Sequence, residues 1–322
     1  MKIYDFSDCE YSNRNGYYGG AAGDKDGIIF NDEAWIAKYP KSNEGMSKSD
    51  KLSRTAQTPL SEYIGSHIYE ILGYPVHETL LGLRNGLVIV ACKDFCNENT
   101  RLLEMRTLKN IHISEMNKKF QIDLHETDDN HLVDLNELFI HFDLNPEISK
   151  IKGVAERFWN QVVIDGLLGN NDRNNGNWGI LSCGNKRELA PIFDNGASFY
   201  PKKSTLAIEQ ILNLPESDQA KNNANMQEPF TFDGEHHLNY KSKLELDETR
   251  IPKNQAELLK TSIIKNTDLV EKNMEEIIAL FKSIPSEYKG FEIISEPRRE
   301  YYLKSFMTRF EDVLKKRRNE IS

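Results

Sequence analysis

Apolar residues recur along this chain in two rhythms, and the change falls near Asn97. Before that point, short apolar runs alternate with turn residues. "GIIFND" and "EAWIAKYP" read as strands, and "ETLLGLRNGLVIVAC" sets an Asn-Gly pair between two apolar runs, a hairpin signature. One helix interrupts the strands: Thr58 is a candidate cap, Pro59 suits the first turn, and Leu60, Ile64, Ile68 and Leu72 recur at four-residue spacing before Gly73 and Pro75. After Asn97 the period becomes helical, as in "LVDLNELFIHF", "VAERFWNQVVIDGLLG", "AELLKTSIIKN", "LVEKNMEEIIALFKSI" and "YYLKSFMTRFEDVLKKRR". The pattern predicts an α+β chain: a small antiparallel sheet with one helix over residues 1–96, and a larger, mainly α-helical part over residues 97–322. The polar stretches "KSNEGMSKSDKLSRTAQ" and residues 214–229 read as loops.

One polar run stands apart because of its position. "GNNDRNNGNWGIL" follows a helix whose stripe includes Val154, Phe158, Val162 and Leu168 and which Gly169 stops, so Asp172 is held by a buried element. The runs "WGIL" and "ELAPIF" read as a hairpin centred near Asn185 and Lys186, which sets Asn177 opposite Asp194. Directly opposed side chains have Cβ atoms about 5 Å apart, within reach of one divalent cation. A calcium hand is excluded, because aligning Gly176 with the sixth loop position leaves Ser182 where a bidentate glutamate is required.

Upstream, "NGYYGGAAGDKDG" carries Gly16, Gly19, Gly20 and Gly23, whose backbone can turn N–H groups toward phosphate oxygens. In the strand that follows, Ile36 and Lys38 share a face, aligning an aliphatic roof for a purine with an ammonium for its phosphates. A lysine so placed needs an acid to hold it: Glu62, in the first turns of the helix, or in reserve Glu70, two turns on.

Charge narrows the partners. The 41 basic and 50 acidic residues give a formal net charge of −9, which argues against a broad cationic face for direct nucleic-acid binding. The cations of "EPRRE" and "LKKRRNE" suit the end of a closing helix. Cys9, Cys92, Cys96 and Cys183 have no disulfide-framework spacing and read as free thiols of a reducing compartment. "GLVIVAC" is far short of the roughly 20 residues a membrane span needs, and the N-terminus lacks an apolar signal core, so the expected place of synthesis is the cytoplasm, with export left open.

Taken in order, the glycine loop, Lys38, Glu62, the strand "VIVACKDF", Asp172 with Asn177, and Asp194-Asn195-Gly196 follow the order of parts in a protein kinase. There is no His-Arg-Asp, Asn195 stands where Phe is usual, and A-P-E is missing. "FWNQVVIDGLLGNNDRNNGNWGIL" with "ELAPIFDNGASFYP" resembles the catalytic core of the HipA family of bacterial serine/threonine kinases, through Gln161, Gly169, Asp172, Asn177, Pro191, Asp194, Ser198, Phe199 and Pro201. "SEYIGSHIYEILG" is similar to the family's Asn-Glu-Tyr…Leu-Gly helix, which favours Glu62 over Glu70. The resemblance covers residues 16–100 and 150–205, and within the family the compact form is similar to the cell-translocating kinase type.

The resemblance implies a bilobal protein-kinase-like fold, with an N-lobe over 1–96 and a C-lobe over 97–322. ATP would lie in the cleft, its adenine against Ile36 and the backbone of Ala91, Cys92 and Lys93, its phosphates on the glycine loop and on Lys38 oriented by Glu62. Asn177 and Asp194 would hold Mg2+, with Mn2+ as the alternative, and Asp172 would align a Ser or Thr hydroxyl of a protein substrate. Autophosphorylation is also implied, with Ser12, Ser204 and Thr205 as candidates. Two departures matter. Typical members carry a further N-terminal subdomain without counterpart in this reading, which makes an antitoxin partner doubtful, and many have His and Lys where Asn174 and Gly176 stand, leaving Arg173 as the only cation of the loop. The alternatives are a lipid or small-molecule kinase of the same fold and a nucleotide-binding pseudokinase scaffold.

Overall fold

Strand alternation builds the first sheet. In the computed structural model, which describes residues 1–15, 25–42, 51–53, 55–127 and 132–321, β1 (Tyr4–Asp5), β2 (Lys25–Phe30), β3 (Glu33–Lys38), β4 (Thr79–Arg84) and β5 (Leu87–Lys93) form a sheet in the order β1-β4-β5-β3-β2. Neighbours are antiparallel except at the edge, where β1 runs parallel to β4. Two-residue turns fix both hairpins: Asn31-Asp32 and Asn85-Gly86 all have positive φ, the conformation that matches strand twist in such turns. The helix α1 (Thr58–Ile71) begins with Pro59 in its first turn and is followed by Gly73 at φ +78°, while Gln57, not Thr58, takes the capping position. Its Leu60, Ile64 and Ile68 are fully buried.

The chain continues through β6 (Thr100–Glu104), α2 (Met105–Phe120), β7 (Val133–Asp134), α3 (Leu135–Leu144), α4 (Val154–Leu168), β8 (Gly179–Cys183), β9 (Lys186–Leu189), α5 (Thr205–Leu212) and α6 (Glu216–Ala224). It ends with β10 (Phe230–Thr231), α7 (Tyr240–Leu244), α8 (Lys253–Lys272), α9 (Met274–Ser283), β11 (Glu287–Tyr288), β12 (Phe291–Glu292), α10 (Glu296–Arg309) and α11 (Lys316–Ile321). The loop expected over 214–229 is in part the helix α6. Pro215 precedes it, Glu216 and Asp218 sit in its first turn, and the buried Gln219 amide donates to the carbonyls of Leu212 and Leu214.

Packing groups these elements into two compact units, neither continuous along the chain. The first comprises Met1–Phe95, Ile192–Ala220 and Val270–Thr308; the second comprises Cys96–Pro191, Lys221–Leu269 and Arg309–Ser322. A division at residue 96 alone leaves out the return of 192–220 and 270–308 to the first unit. Within the first, Phe199 stacks on Tyr302 with ring centroids 4.9 Å apart and meets Phe281 edge-on. Within the second, Phe142, Phe158, Trp159 and Trp178 form an aromatic cluster around α4. Among the described residues no helix is long and apolar enough to cross a membrane. All four cysteines are free thiols.

Candidate active site

The alternation of β3 decides which side chains can act. Trp35 and Ala37 enter the core with Phe6, Ile28 and Ile89, while Ile36 and Lys38 lie on the opposite face. Lys38 Nζ donates to Glu62 Oε2 at 2.9 Å and to Asp194 Oδ1 at 3.0 Å. Glu62 is completely buried, whereas the Glu70 side chain is 69% accessible and lies beside His67, so the structure brings Lys38 to the first of the two helix acids. Burial acts to lower Lys38, but the carboxylates of Asp194 and Glu62 outweigh it and hold the ammonium well above its ordinary range. Burial acts to raise both acids, yet Lys38 keeps Glu62 and Asp194 below the usual carboxylate range, with His77 adding to the effect on Glu62.

Asp194 reaches this position through a left-handed backbone, φ +59°, uncommon for a residue with a side chain. The two residues that follow explain how it is held. The Asn195 N–H donates to Glu62 Oε1 at 2.9 Å and its side-chain amide to Ser66 Oγ at 2.9 Å, so this asparagine takes up a polar docking onto α1. At Gly196 an added Cβ would stand 2.7 Å from Thr58 Cγ2 and 3.2 Å from Glu62 Oε2, and at Gly65 it would stand 2.9 Å from both Asn195 Cβ and Ser198 Oγ. Only glycine lets the two segments approach so closely. Past them, Phe199 and Tyr200 also have positive φ, and Gln57 N–H donates to the Pro201 carbonyl.

A second lysine was not foreseen. Lys25 pairs with Lys38 across β2 and β3 and shares its face; burial and the Lys38 charge lower its pKa, with Asp194 and Glu62 acting against them. The Asn31-Asp32 turn fixes that register, so the neighbour was readable from the sequence once the turn was placed.

In the second unit the loop after α4 carries exposed functional atoms on buried struts. Gly169, at φ +68°, ends the helix. Arg173, which the sequence offered as the loop's cation, is instead buried: its Nε donates to Asp165 Oδ2 at 2.7 Å and its Nη1 to the Asn177 carbonyl at 2.6 Å. Asn170 joins through its amide to Asp165 Oδ1 at 3.0 Å. Above this base, Asp172 is exposed, and Asn174 Nδ2 donates to its Oδ1 at 3.0 Å, so Asn174 orients the carboxylate. Asn177 Nδ2 donates to the Asp172 carbonyl, which turns its amide oxygen the other way. The Arg106 guanidinium on α2 comes within 3.5 Å of where a Cβ at Gly176 would stand.

Several expectations need correction. The hairpin register pairs Cys183 with Lys186 and Ile180 with Leu189, centring the turn on Gly184-Asn185, and its last rung is Ala190 N–H to the Gly179 carbonyl. The ladder therefore does not pair Asn177 with Asp194. Ala91 and Cys92 lie in a central strand paired on both edges, and the N–H groups of Lys93 and Asp94 donate to Glu78 and Ala34. The backbone of Ala91 and Cys92 is thus committed to the sheet, and the N–H groups of Lys93 and Asp94 are taken up within the protein. Ser12 is buried, and Ser204 caps α5 by accepting from Ala207 N–H, whereas Thr205 is exposed. Gly16, Gly19, Gly20 and Gly23 lie outside the described residues.

For a metal, the donor chemistry fits a hard cation. Asp194 spends Oδ1 on Lys38, keeps 37% of its side chain accessible and retains Oδ2; Asn177 retains its amide oxygen. Glu62, His77 and Cys92 also bring ligand-type atoms within 4.8 Å of one another. There Glu62 already accepts from Lys38, His77 and Asn195, so that cluster is a hydrogen-bonded one.

No protein-family model matches the chain. The serine/threonine-protein kinase CtkA of Helicobacter pylori is 37% identical over 214 residues, 66% of this chain, and the chain spans only 61% of that curated relative's length. The crystal structure of a Helicobacter pylori proinflammatory kinase CtkA superposes with a TM-score of 0.80 at 26% identity, covering 99% of this chain and 98% of that one. Shewanella oneidensis HipA, solved with HipB and its operator DNA, superposes with a TM-score of 0.51 at 12% identity over 94% of this chain and 69% of its own, a likeness of fold alone. The chain thus has a kinase-like α+β fold with a small sheet and many helices. By sequence and fold together, the chain is similar to the serine/threonine-protein kinase CtkA, and in fold alone to HipA.

Proposed function

We propose that the chain is a serine/threonine protein kinase that transfers the γ-phosphoryl group of Mg-ATP to Ser or Thr hydroxyls of protein substrates and to itself. The observation that carries this reading is the Lys38–Glu62–Asp194 triad, an ammonium held between a buried acid and a partly accessible one. Lys38 binds the α- and β-phosphate oxygens, and Glu62 keeps its amine in place. Ile36, on the same face, roofs the adenine. Asp194 and Asn177 are the residues that would hold Mg2+ or Mn2+, which would neutralise charge on the phosphate oxygens. Asp172 accepts the hydrogen bond of the incoming hydroxyl and aligns it for in-line attack, with Asn174 fixing the carboxylate's orientation. Synthesis is cytoplasmic, and the acidic net charge of −9 favours a protein substrate over direct nucleic-acid contact.

Incubation with γ-labelled ATP, Mg2+ and a basic acceptor protein, followed by mass spectrometry, tests this. Phosphoserine or phosphothreonine on the acceptor and on the chain, Thr205 included, is expected. Label confined to a lipid or metabolite would favour the small-molecule kinase instead, and ATP binding without transfer would favour a scaffold.

A further inference from the structure

Lys38 is shared between two carboxylates, and the balance between them matters. If Glu62 were to loosen, the ammonium would settle on Asp194 and compete with a cation for that carboxylate. Something must therefore fix Glu62 independently of Lys38, and the structure supplies it from a segment that the kinase pattern does not mark. His77 is buried, and its Nε2 lies 2.9 Å from Glu62 Oε1 and 3.1 Å from Ser66 Oγ. A carboxylate only accepts, so the ring proton is assigned to Nε2. Ser66 in turn accepts from the Asn195 amide at 2.9 Å, and Asn195 N–H returns to Glu62 Oε1 at 2.9 Å. The four residues close a buried ring.

The backbone of the same segment reaches the segment that carries the other carboxylate. His77 N–H donates to the Ile192 carbonyl at 3.0 Å, and Ile192 N–H donates to the Pro75 carbonyl at 2.8 Å, two residues before Asp194. His77 thus grips Glu62 with its side chain and the Asp194 segment with its main chain, setting the span between the two partners of Lys38.

We propose that His77, acting with Ser66 through Glu62, is a positioning residue for phosphoryl transfer: it fixes the Glu62 carboxylate so that Lys38 faces the phosphates and Asp194 stays available to the metal. The inference rests on the kinase reading above and adds a role for residues outside its machinery. A hydrogen bond to a charged group is worth about 1.5–3 kcal/mol, or roughly a 10- to 100-fold change.

The test compares His77→Leu, His77→Gln and Ser66→Ala in the full chain, measuring kcat, KM for ATP, half-saturating Mg2+ and the melting temperature. His77→Leu should lower kcat about 10- to 100-fold and raise the Mg2+ requirement, with KM for the acceptor protein unchanged. His77→Gln, which keeps a donor, should recover most of both, and Ser66→Ala should fall between. Parental kcat and Mg2+ dependence in His77→Leu would overturn the proposal. So would equal losses in the Leu and Gln variants that track the melting temperature, because a merely structural role predicts that. If the parental chain transfers no phosphate, the kinase reading fails by itself and the inference is judged on Lys38: its labelling rate by an amine-reactive reagent, mapped against Lys25, should change severalfold in His77→Leu. An unchanged rate overturns it.

Discussion

The two sets of site residues are built on opposite plans. In the first unit the charged groups meet directly, Lys38 lying between Glu62 and Asp194 with Glu62 wholly buried. In the second unit the groups that would act, Asp172 and the Asn177 amide, stand toward solvent, and the ion pair lies beneath them as Arg173 and Asp165, 2% and 0% accessible. The contrast teaches where each set draws its rigidity. The first is preorganised by neutralising its own charges. The second is preorganised by a buried base, with Asn174 orienting the exposed Asp172 carboxylate above it.

This difference predicts how each region breaks. Asp172→Ala should leave the fold and ATP affinity intact while lowering kcat about 10²–10⁴-fold, as seen by labelled-ATP transfer and calorimetry. Parental turnover would remove Asp172 from its role. Asp165→Asn should act through stability, because it strands a buried guanidinium: a loss of about 3–5 kcal/mol in denaturant unfolding is expected. Lys38→Met should act through pH. Glu62 and Asp194 are held below their ordinary range, so their contribution is present above the unfolded carboxylate pKa of about 4 and fades only as pH falls through their lower folded values. Without Lys38 that loss should begin at higher pH, moving the acid-unfolding midpoint of the variant upward. Gly196→Ala should cost about 1–3 kcal/mol, since its Cβ would press on Thr58 and Glu62. Glu70→Gln, at an exposed site, should change stability by no more than about 0.5 kcal/mol and leave transfer unchanged.

How much of this was legible depended on whether a local period carried the information. Strand alternation placed Ile36 and Lys38 on one face, and the four-residue spacing of α1 put Glu62 on a helix. Registers were legible only where the turn was placed correctly. Asn85-Gly86 gave the β4–β5 hairpin, whereas centring the later turn one residue too far, past Gly184 with its φ of +56°, mispaired Asn177 and Asp194. Long-range polar closure left no period at all. Nothing in "YPVHETL" marks His77 as the partner of a glutamate fifteen residues earlier, and Arg173 looked like a loop cation because its partner Asp165 lies eight residues back in the preceding helix. The strand β6 and helix α2 were missed for a related reason: α2 buries Lys109, whose amine donates to Thr127, so the apolar stripe is broken.

The central claim is that Lys38, Asp194, Asn177 and Asp172 serve one nucleotide. A crystal structure with a nonhydrolysable ATP analogue and Mg2+ tests it most directly. The account predicts Lys38 Nζ within hydrogen-bond distance of α- or β-phosphate oxygens, Mg2+ at about 2.0–2.1 Å from Asp194 and Asn177 oxygens, and Asp172 facing the γ-phosphoryl group. A triphosphate bound away from Lys38, or a metal held by neither Asp194 nor Asn177, would contradict it.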